Sequence, residues 1–297
     1  MKILLTGAGG FTGRHFSRAA TRAGHQVLPL LSDLTDVPAL HAEVAQAQPD
    51  AVLHLAGIAF VGHADDAALY AVNTVGTGNL LSALSALSLP PAKVLLASSA
   101  NIYGNCPVSP VCEEQPAAPV SHYATSKMAM EAIAHTYAQA LPIVIARPFN
   151  YTGPGQSTDF LIPKLVSHFA RHAPAIALGN LDVEREFNDV AMVCRAYLAL
   201  LTHGEAGLSY NVCSGTLHSL GSVVEMLQEI TGHTLQVQQD PAFIRANEVR
   251  QLCGQPKRLN ALLAQHGIEH TQPPLRDTLQ GMLSVMDPST GQWQATC

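Results

Sequence analysis

Three features of the sequence predict an α/β fold: a doubly wound parallel sheet with a smaller mixed α/β lobe for a substrate. A short apolar run at the start is followed at once by a glycine-rich turn and a helical stretch. Apolar runs of strand length then alternate with helix-length segments, as in parallel sheets covered by helices on both faces. After residue 155 the pattern changes to shorter strands and helices, which indicates a second lobe.

Each of the two predicted lobes is built from two separate segments of the chain. With 297 residues, 47% of them apolar and only 13% charged, the chain can bury one large core or two coupled ones. The last residues hold the only tryptophan, Trp293, and are expected to form a loosely structured tail. The expected boundaries are 1–152 with 187–214 for the dinucleotide-binding lobe, 153–186 with 215–286 for the substrate lobe, and 287–297 for the tail.

The composition limits the classes of function. The formal net charge of −6 comes from interspersed acids and bases without a basic stripe, so we expect no nucleic-acid partner. No apolar run approaches the roughly 18 residues of a membrane span, so we expect no membrane partner. The first apolar run is too short for a signal peptide, and the six cysteines contain no C-x-x-C pair. A cytoplasmic protein with reduced thiols is therefore expected.

A glycine-rich turn follows the first predicted strand. Lys2–Thr6 is expected to be a buried strand, and a helix is expected from the turn to about Ala23. The intervening glycines have G-x-x-G-x-x-G spacing. Gly7 permits a tight turn, Gly10 lets backbone N–H groups approach a diphosphate at the positive helix end, and Gly13 permits close helix packing. This order predicts a Rossmann-type dinucleotide site. Its candidate residues here are Gly7, Gly10, Phe11, Thr12 and Gly13.

The expected cofactor is NADP(H) or NAD(H). In dinucleotide sites an acidic residue about 20 positions after the glycines contacts the ribose of NAD, and Asp33 falls there. Asp33 and the adjacent Leu34 are therefore candidate cofactor residues. Arg14 and Arg22 are the nearest arginines, and none stands at this point to bind a 2′-phosphate. The choice between the two cofactors stays open.

The next elements are expected to line the same site. The second predicted strand leads almost directly to a helix start at 32–36, so the usual second βα unit is missing. The following strand, 49–57, ends in small residues that leave room for a cofactor. His54 in this run is expected to be a satisfied core histidine, whereas Asn73, in a long helix over 64–88, can tie the backbone near the site. The candidate cofactor residues here are Leu55, Ala56, Gly57 and Asn73.

A serine, a tyrosine and a lysine supply the expected chemistry. Ser98 and Ser99 end the predicted strand 93–99, and Tyr123 and Lys127 are four residues apart in the next predicted helix. At that spacing two side chains share a helix face, so the lysine charge can lower the tyrosine pKa from its usual value of about 10. Such a tyrosine exchanges a proton near neutral pH. A proline-rich loop, 107–119, is long enough to cover a substrate.

These motifs, in this order, resemble the extended branch of the short-chain dehydrogenase/reductase superfamily over nearly the whole chain. The second half is similar to the nucleotide-sugar members of that branch, and its last segment is similar to the GDP-mannose group. That group contains 4,6-dehydratases and the 4-keto-6-deoxy-mannose reductases that follow them. The segments that carry this similarity are 147–156, 178–182 with Arg185, and 245–249 followed by Gly254.

One departure from the group's pattern separates its two enzyme classes. In the dehydratases a glutamate two residues after the catalytic serine or threonine removes a proton, and here that position is Asn101. An amide cannot act as this base. The arm that dehydratases use to reach a neighbour's cofactor is also deleted. The resemblance therefore implies a reductase that forms homodimers. Keto-reductases of the dTDP-rhamnose pathway are similarly shortened, so the nucleotide is not fixed by the deletion.

The resemblance implies a reaction at C4 of a GDP-4-keto-6-deoxy-mannose substrate. Ser99 and Tyr123 would hydrogen-bond the C4 oxygen, Tyr123 would deliver the proton, and Lys127 would tune Tyr123 and hold the nicotinamide ribose. The backbone at Pro148 and Phe149 would support the nicotinamide amide. No metal is implied. The implied substrate residues are Asn101, Asn150, Lys164, Arg185, Arg245 and Glu248.

Other enzymes and a non-catalytic class of protein have related sequences. A nucleotide-sugar epimerase has the same triad but retains its cofactor, and a 4,6-dehydratase is the other alternative enzyme. A non-catalytic NAD(P)-binding regulator typically lacks part of the triad, and all three positions are intact here. The sequence leaves the stereochemistry at C4 open, so the product is GDP-D-rhamnose or GDP-6-deoxy-D-talose.

Overall fold

A computed structural model describes residues 1–59, 65–243, 249–269 and 271–294. Within these ranges, no helix is long and apolar enough to span a bilayer. The α-helices are α1 (Phe11–Arg22), α2 (Val37–Ala47), α3 (Asp66–Tyr70), α4 (Thr77–Ser85), α5 (His122–Thr136), α6 (Leu161–Ala170), α7 (Val190–His203), α8 (Leu220–Thr231), α9 (Lys257–Gln265) and α10 (Leu275–Ser284). The strands are β1 (Lys2–Thr6), β2 (Gln26–Pro29), β3 (Ala51–His54), β4 (Lys93–Ala97), β5 (Ile143–Pro148), β6 (Tyr151–Thr152), β7 (Ala175–Leu178), β8 (Glu184–Arg185), β9 (Asn188–Asp189), β10 (Ser209–Val212), β11 (His218–Ser219), β12 (Gln236–Gln239) and β13 (Gln251–Leu252).

Six strands form the central sheet in the order β2-β1-β3-β4-β5-β10, and every neighbouring pair is parallel. The chain leaves β1 toward β2 on one side and then returns to β3 on the other, so the strand order reverses between β1 and β3. Ligands of doubly wound sheets bind at the carboxyl ends of the strands at this switch point. The edge strand is β2, which confirms the predicted loss of the second βα unit.

Helices cover both faces of this sheet. Alternate strand residues point to opposite faces, so Ile3 and Leu5 join one core and Leu4 joins the other. The first core receives α1, α7 and α9, and the second receives α2, α4 and α5. The predicted doubly wound fold is confirmed. The described cysteines carry free thiols, as expected: Cys106, Cys112, Cys194, Cys213 and Cys253.

The smaller lobe has its own apolar core. It is built from α6, α8 and α10 with the parallel pair β7 and β12, and its buried residues lie between 162 and 286. Helix α10 is absent from the sequence prediction, because its apolar residues are few and follow a proline pair. The predicted lobe boundaries remain a prediction. The predicted substrate residues Arg245 and Glu248 lie outside the described residues.

A buried carboxylate joins the smaller lobe to the edge of the central sheet. Glu186 is fully buried, and its carboxylate accepts hydrogen bonds from the backbone N–H groups of Ser214 at 2.7 Å, Gly215 at 3.2 Å and Gly254 at 2.6 Å. Gly254 lies against Phe149, since a Cβ there would be 2.6 Å from the Phe149 ring. The segment after β13 is thereby fixed next to the end of β5.

The prediction of a loosely structured tail is wrong for the described residues up to 294. Trp293 donates its indole N–H to the Gln156 carbonyl at 2.7 Å and forms an antiparallel bridge with Met286. The Ser167 hydroxyl donates to the Gly291 carbonyl at 2.8 Å. The two hydrogen bonds, from Trp293 and from Ser167, join positions more than a hundred residues apart, so local sequence does not report them.

We expect Trp293→Ala to lower the free energy of unfolding by about 1–3 kcal/mol, because it removes a half-buried aromatic ring and a hydrogen bond. Trp293→Phe keeps most of the ring packing and should lose about 1 kcal/mol. Urea denaturation followed by far-UV circular dichroism measures both, since Trp293 is the only tryptophan. Unchanged midpoints in the alanine variant would show that the tail does not stabilise the fold.

Candidate active site

The glycine turn after β1 has the geometry of a diphosphate cradle. Gly7 has φ +69°, and a Cβ there would be 2.8 Å from Ala56 N. A Cβ at Gly13 would be 2.2 Å from the Gly7 carbonyl oxygen. Helix α1 begins after Gly10 without a side-chain cap, so its first N–H groups are available to an anion. These residues fit the diphosphate of a dinucleotide.

The start of α1 is tied to the segment after β5. The hydroxyls of Thr12 and Tyr151 are 2.8 Å apart, and the rings of Phe11 and Tyr151 stack with centroids 6.2 Å apart. The Arg14 guanidinium donates to the carbonyls of Gly9 at 2.7 Å and Gly155 at 3.0 Å. Phe11 and Thr12, both predicted cofactor residues, thus pack against the predicted nucleotide-sugar segment.

The loop after β3 is held at both ends beside this turn. The Thr6 hydroxyl accepts from Leu55 N at 3.1 Å and from Ala56 N at 2.9 Å. The Asn73 amide accepts from Ile58 N at 2.8 Å and donates to the Ile58 carbonyl at 3.1 Å. Asn73 is fully buried, so its predicted role of tying the backbone near the site is confirmed.

His54 is a satisfied core histidine, as predicted. Its Nδ1 is 2.7 Å from the Thr6 hydroxyl and its Nε2 is 2.9 Å from the Thr77 hydroxyl, which itself donates to the Asn73 carbonyl at 2.7 Å. Thr77 therefore accepts from Nε2–H, and Thr6 donates to Nδ1. Burial first, and then the Lys127 charge, lower the pKa of His54 to about 3, so the ring is neutral.

Ser99, Tyr123 and Lys127 meet at the carboxyl end of β4. Ser99 caps a 3₁₀ turn, Ala100–Tyr103, and only 5% of it is exposed. Tyr123 lies in the first turn of α5 and is 8% exposed, and the Ser99 side chain is near enough to lower the pKa of its phenol. One turn later, the Lys127 ammonium donates to the Ala97 carbonyl at 2.9 Å. The three predicted catalytic side chains are thus brought together.

Lys127 also lies beside the loop after β3. A Cβ at Gly57 would be 3.4 Å from the Lys127 ammonium nitrogen and 2.8 Å from the Asn73 amide oxygen. The Ser126 hydroxyl accepts from the Asn73 amide at 3.0 Å and donates to the Tyr123 carbonyl at 2.8 Å. The catalytic helix and the predicted cofactor loop therefore share one buried hydrogen-bond network.

The predicted lowering of the Tyr123 pKa is wrong for this structure. Burial raises the pKa of Tyr123, and only the hydrogen bond with Ser99 opposes the rise. The Lys127 ammonium, which donates to the Ala97 carbonyl, does not offset this rise. Burial also lowers the pKa of Lys127 to about 8, with the Glu131 carboxylate opposing the shift. Tyr123 is therefore a protonated phenol at neutral pH.

Sequence reasoning missed a buried ion pair behind the triad. The Arg147 guanidinium donates to Glu131 at 2.7 Å, to the Tyr103 hydroxyl at 2.9 Å and to the Glu113 carbonyl at 3.0 Å. It thereby fixes the proline-rich loop to β5 and α5. The available signal was the position of Glu131, four residues after Lys127 on α5.

The predicted substrate residues lie in two places. Asn101 follows Ser99 in the 3₁₀ turn, and Asn150 follows β5, where its carbonyl accepts from Asn188 N at 2.9 Å. Lys164 and Arg185 contact the smaller lobe instead. The Lys164 ammonium lies 4.6 Å from the Phe243 ring centroid, and Arg185 donates to the carbonyls of Val249, Arg250 and Glu184.

The remaining predicted cofactor residues flank the site. Pro148 ends β5, and the buried Phe149 stacks on Tyr103 with ring centroids 6.3 Å apart. Leu34 is buried, whereas Asp33 is exposed and one of its oxygens accepts from both Thr35 N and Thr35 Oγ1. Binding of cofactor or substrate by these residues remains a prediction.

The fold and this site define a dinucleotide-binding protein with a serine–tyrosine–lysine triad. A model of the NAD dependent epimerase/dehydratase family matches residues 3–213, and the chain belongs to that family. The resemblance to the extended short-chain dehydrogenases/reductases is thereby confirmed.

Two characterised relatives are similar over most of their length. GDP-6-deoxy-D-talose 4-dehydrogenase of Aggregatibacter actinomycetemcomitans is 34% identical over 265 residues, which cover 87% of this chain and 90% of the relative. GDP-6-deoxy-D-mannose reductase of Pseudomonas aeruginosa is 37% identical over 275 residues, with the same coverage of 87% and 90%.

Solved structures agree with the fold. A protein of Burkholderia cenocepacia J2315 is 45% identical with a TM-score of 0.90, covering 96% of this chain and 98% of that one. The structure of RMD from Pseudomonas aeruginosa complexed with NADPH is 34% identical with a TM-score of 0.85, covering 95% and 96%. The UDP-glucose 4-epimerase of Thermus thermophilus, complexed with NAD, is 25% identical with a TM-score of 0.82, covering 96% and 98%.

Proposed function

We propose that the protein is an NAD(P)H-dependent reductase of the C4 ketone of a GDP-4-keto-6-deoxy-mannose, with GDP-D-rhamnose or GDP-6-deoxy-D-talose as product. The observation that carries the proposal is the meeting of Ser99, Tyr123 and Lys127 at the carboxyl end of β4, where Tyr123 is a buried phenol one turn before Lys127. Relatives at 34% and 37% identity are named for GDP-6-deoxy sugars, which supports the substrate class.

The protonation state of Tyr123 favours reduction. A ketone that accepts a hydride needs a proton on its oxygen, and a phenol whose pKa is raised holds that proton at neutral pH. Asn101 stands two residues after Ser99, and its amide cannot remove a carbon-bound proton as a dehydratase glutamate does. The site therefore supplies a proton donor, Tyr123, and has no base at position 101.

Each group of residues in the site has its own role in the reduction. When bound, the reduced nicotinamide cofactor supplies the hydride for C4. Gly7 to Gly13 and the start of α1 would hold its diphosphate, and Leu55 to Gly57 would lie against the bound cofactor. Ser99 and Tyr123 hydrogen-bond the sugar C4 oxygen as negative charge develops on it, and Tyr123 donates its proton there. The Lys127 charge, one turn away on α5, stabilises the phenolate left on Tyr123, which regains a proton from water before the next turnover.

A nucleotide-sugar epimerase is the second candidate, because a 4-epimerase shares the fold at a TM-score of 0.82. An epimerase keeps its cofactor through the cycle, whereas a reductase consumes it. Purified protein without nicotinamide absorbance, which oxidises added NADH or NADPH only with the 4-keto sugar, supports the reductase. A tightly bound NAD that is regenerated at each turnover would contradict it.

We expect the reductive kcat to be constant from pH 6 to about 7.5 and to fall above about pH 8. Burial lowers the pKa of Lys127 to about 8, so its positive charge is present below that pH and is lost as pH rises through it. The Tyr123 pKa is raised, so the phenol keeps its proton across this window. Lys127→Arg is the control, since arginine stays charged and should remove the fall. A wild-type rate that stays level to about pH 9.5 contradicts this role.

We further infer a cytoplasmic homodimer. The shortened region after β2, in which α2 follows the edge strand, supports a dimer by resemblance to the reductases of the group. Light scattering on the purified protein tests the oligomeric state, and we expect the mass of two chains.

A further inference from the structure

A carboxylate from α2 holds the backbone just beyond β2. Glu43 accepts from Leu31 N at 2.8 Å through Oε1 and from Ser32 N at 2.7 Å through Oε2. Among the described residues, Glu43 forms no ion pair. A single negative charge is thus fixed at one point of the sheet edge by two backbone donors.

That point lies next to the glycine turn. Strand β2 runs parallel to β1 with Pro29 opposite Leu5, and Leu30 N donates to the Leu5 carbonyl at 2.9 Å. Residues 31 and 32 therefore follow the carboxyl end of β2 on the same edge at which β1 enters Gly7. In dinucleotide folds the adenosine ribose reaches this edge once the diphosphate lies at α1, and a carboxylate there hydrogen-bonds its 2′-hydroxyl.

Asp33, which the sequence favours for this role, is placed differently. One of its oxygens accepts from Thr35 N at 2.8 Å and from Thr35 Oγ1 at 2.7 Å, so it closes its own turn before α2. The residue at the strand end is Leu31, whose apolar side chain is 85% exposed. The carboxylate on the strand-end backbone is that of Glu43.

We propose that Glu43 is the residue that selects the cofactor and that the protein prefers NADH to NADPH. The Glu43 carboxylate accepts a hydrogen bond from the 2′-hydroxyl of NADH. The 2′-phosphate of NADPH brings about two further negative charges to the same point, where the carboxylate repels them. This inference rests on the proposed function only in assuming that the site binds a nicotinamide dinucleotide.

The test is a fluorescence titration of NADH and NADPH against the protein without sugar. We expect wild type to bind NADH at least about tenfold more tightly than NADPH, and Glu43→Gln to lose about tenfold of that preference. Glutamine keeps an acceptor for the backbone but no charge. Asp33→Asn tests the other candidate carboxylate, and we expect it to change the ratio much less than Glu43→Gln does.

A second variant tests cofactor preference without changing the contact of Glu43 with the backbone of residues 31 and 32. Leu31→Arg adds a cation at an exposed position, and we expect it to tighten NADPH binding by about tenfold with little effect on NADH. The inference is overturned if wild type prefers NADPH, if Glu43→Gln leaves the ratio unchanged, or if Asp33→Asn changes it equally. Wild type that binds neither dinucleotide contradicts the proposed function itself, so the two failures are distinguishable.

Discussion

Tyr123→Phe should lower the kcat for ketone reduction by about a thousandfold while leaving the dissociation constant of the reduced cofactor within about twofold. The substitution removes the one hydroxyl that we propose as the proton donor, which lies near Ser99. The ring stays buried in the first turn of α5, so the fold and the cofactor loop after β3 are retained. Pre-steady-state mixing with the 4-keto sugar measures the rate, and nucleotide fluorescence measures binding.

Tyr137→Phe is the matched control for this variant. Tyr137 lies at the other end of α5, and its hydroxyl makes only a long contact of 3.4 Å with the Gly78 carbonyl. We expect its kcat to equal that of wild type. Near-normal turnover in Tyr123→Phe would remove the tyrosine from the mechanism, whereas equal losses in both variants would point to a general effect on the helix.

Gly13→Ala should weaken dinucleotide binding by at least about a hundredfold and lower the melting temperature. A Cβ at this position would lie 2.2 Å from the Gly7 carbonyl oxygen and 2.7 Å from two backbone atoms of Ala8. Backbone atoms cannot rotate away, so α1 must move off the strand end that positions the diphosphate. Isothermal calorimetry with NADH and NADPH, together with thermal denaturation, checks both effects.

Gly9→Ala provides the comparison within the same turn. A Cβ at Gly9 would have no heavy atom of the described chain within 4 Å, and Gly9 is not among the positive-φ glycines. Its melting temperature should match that of wild type, and its cofactor affinity should fall much less than that of Gly13→Ala. If Gly13→Ala binds dinucleotide as tightly as Gly9→Ala, the close approach of α1 to the glycine turn is not needed for binding.

The sequence predicts those parts of the site that depend on local spacing. The glycine turn, and the tyrosine and lysine on one face of α5, follow from neighbours within a few residues. His54 is also predicted correctly, because an apolar run around a histidine indicates burial. Strand and glycine signals alone are therefore enough to place the catalytic end of the sheet.

The parts that the sequence misses depend on contacts between distant segments. Glu43 meets Leu31 and Ser32 only because α2 folds back on the edge strand. Trp293 meets Gln156 across 137 positions, so its region looks unstructured from composition. The lowering predicted for the Tyr123 pKa is wrong because burial, which helical spacing does not report, raises that pKa.

The most direct test of the account is the product formed from GDP-4-keto-6-deoxy-mannose and a reduced cofactor that carries deuterium at the transferable position. We predict that proton NMR shows a single 6-deoxy GDP-sugar with deuterium at C4, formed with one equivalent of cofactor oxidised. The coupling pattern of the ring protons then distinguishes GDP-D-rhamnose from GDP-6-deoxy-D-talose. An unchanged ketone, or a sugar product without deuterium and without cofactor consumption, would contradict the assignment of a C4 reductase.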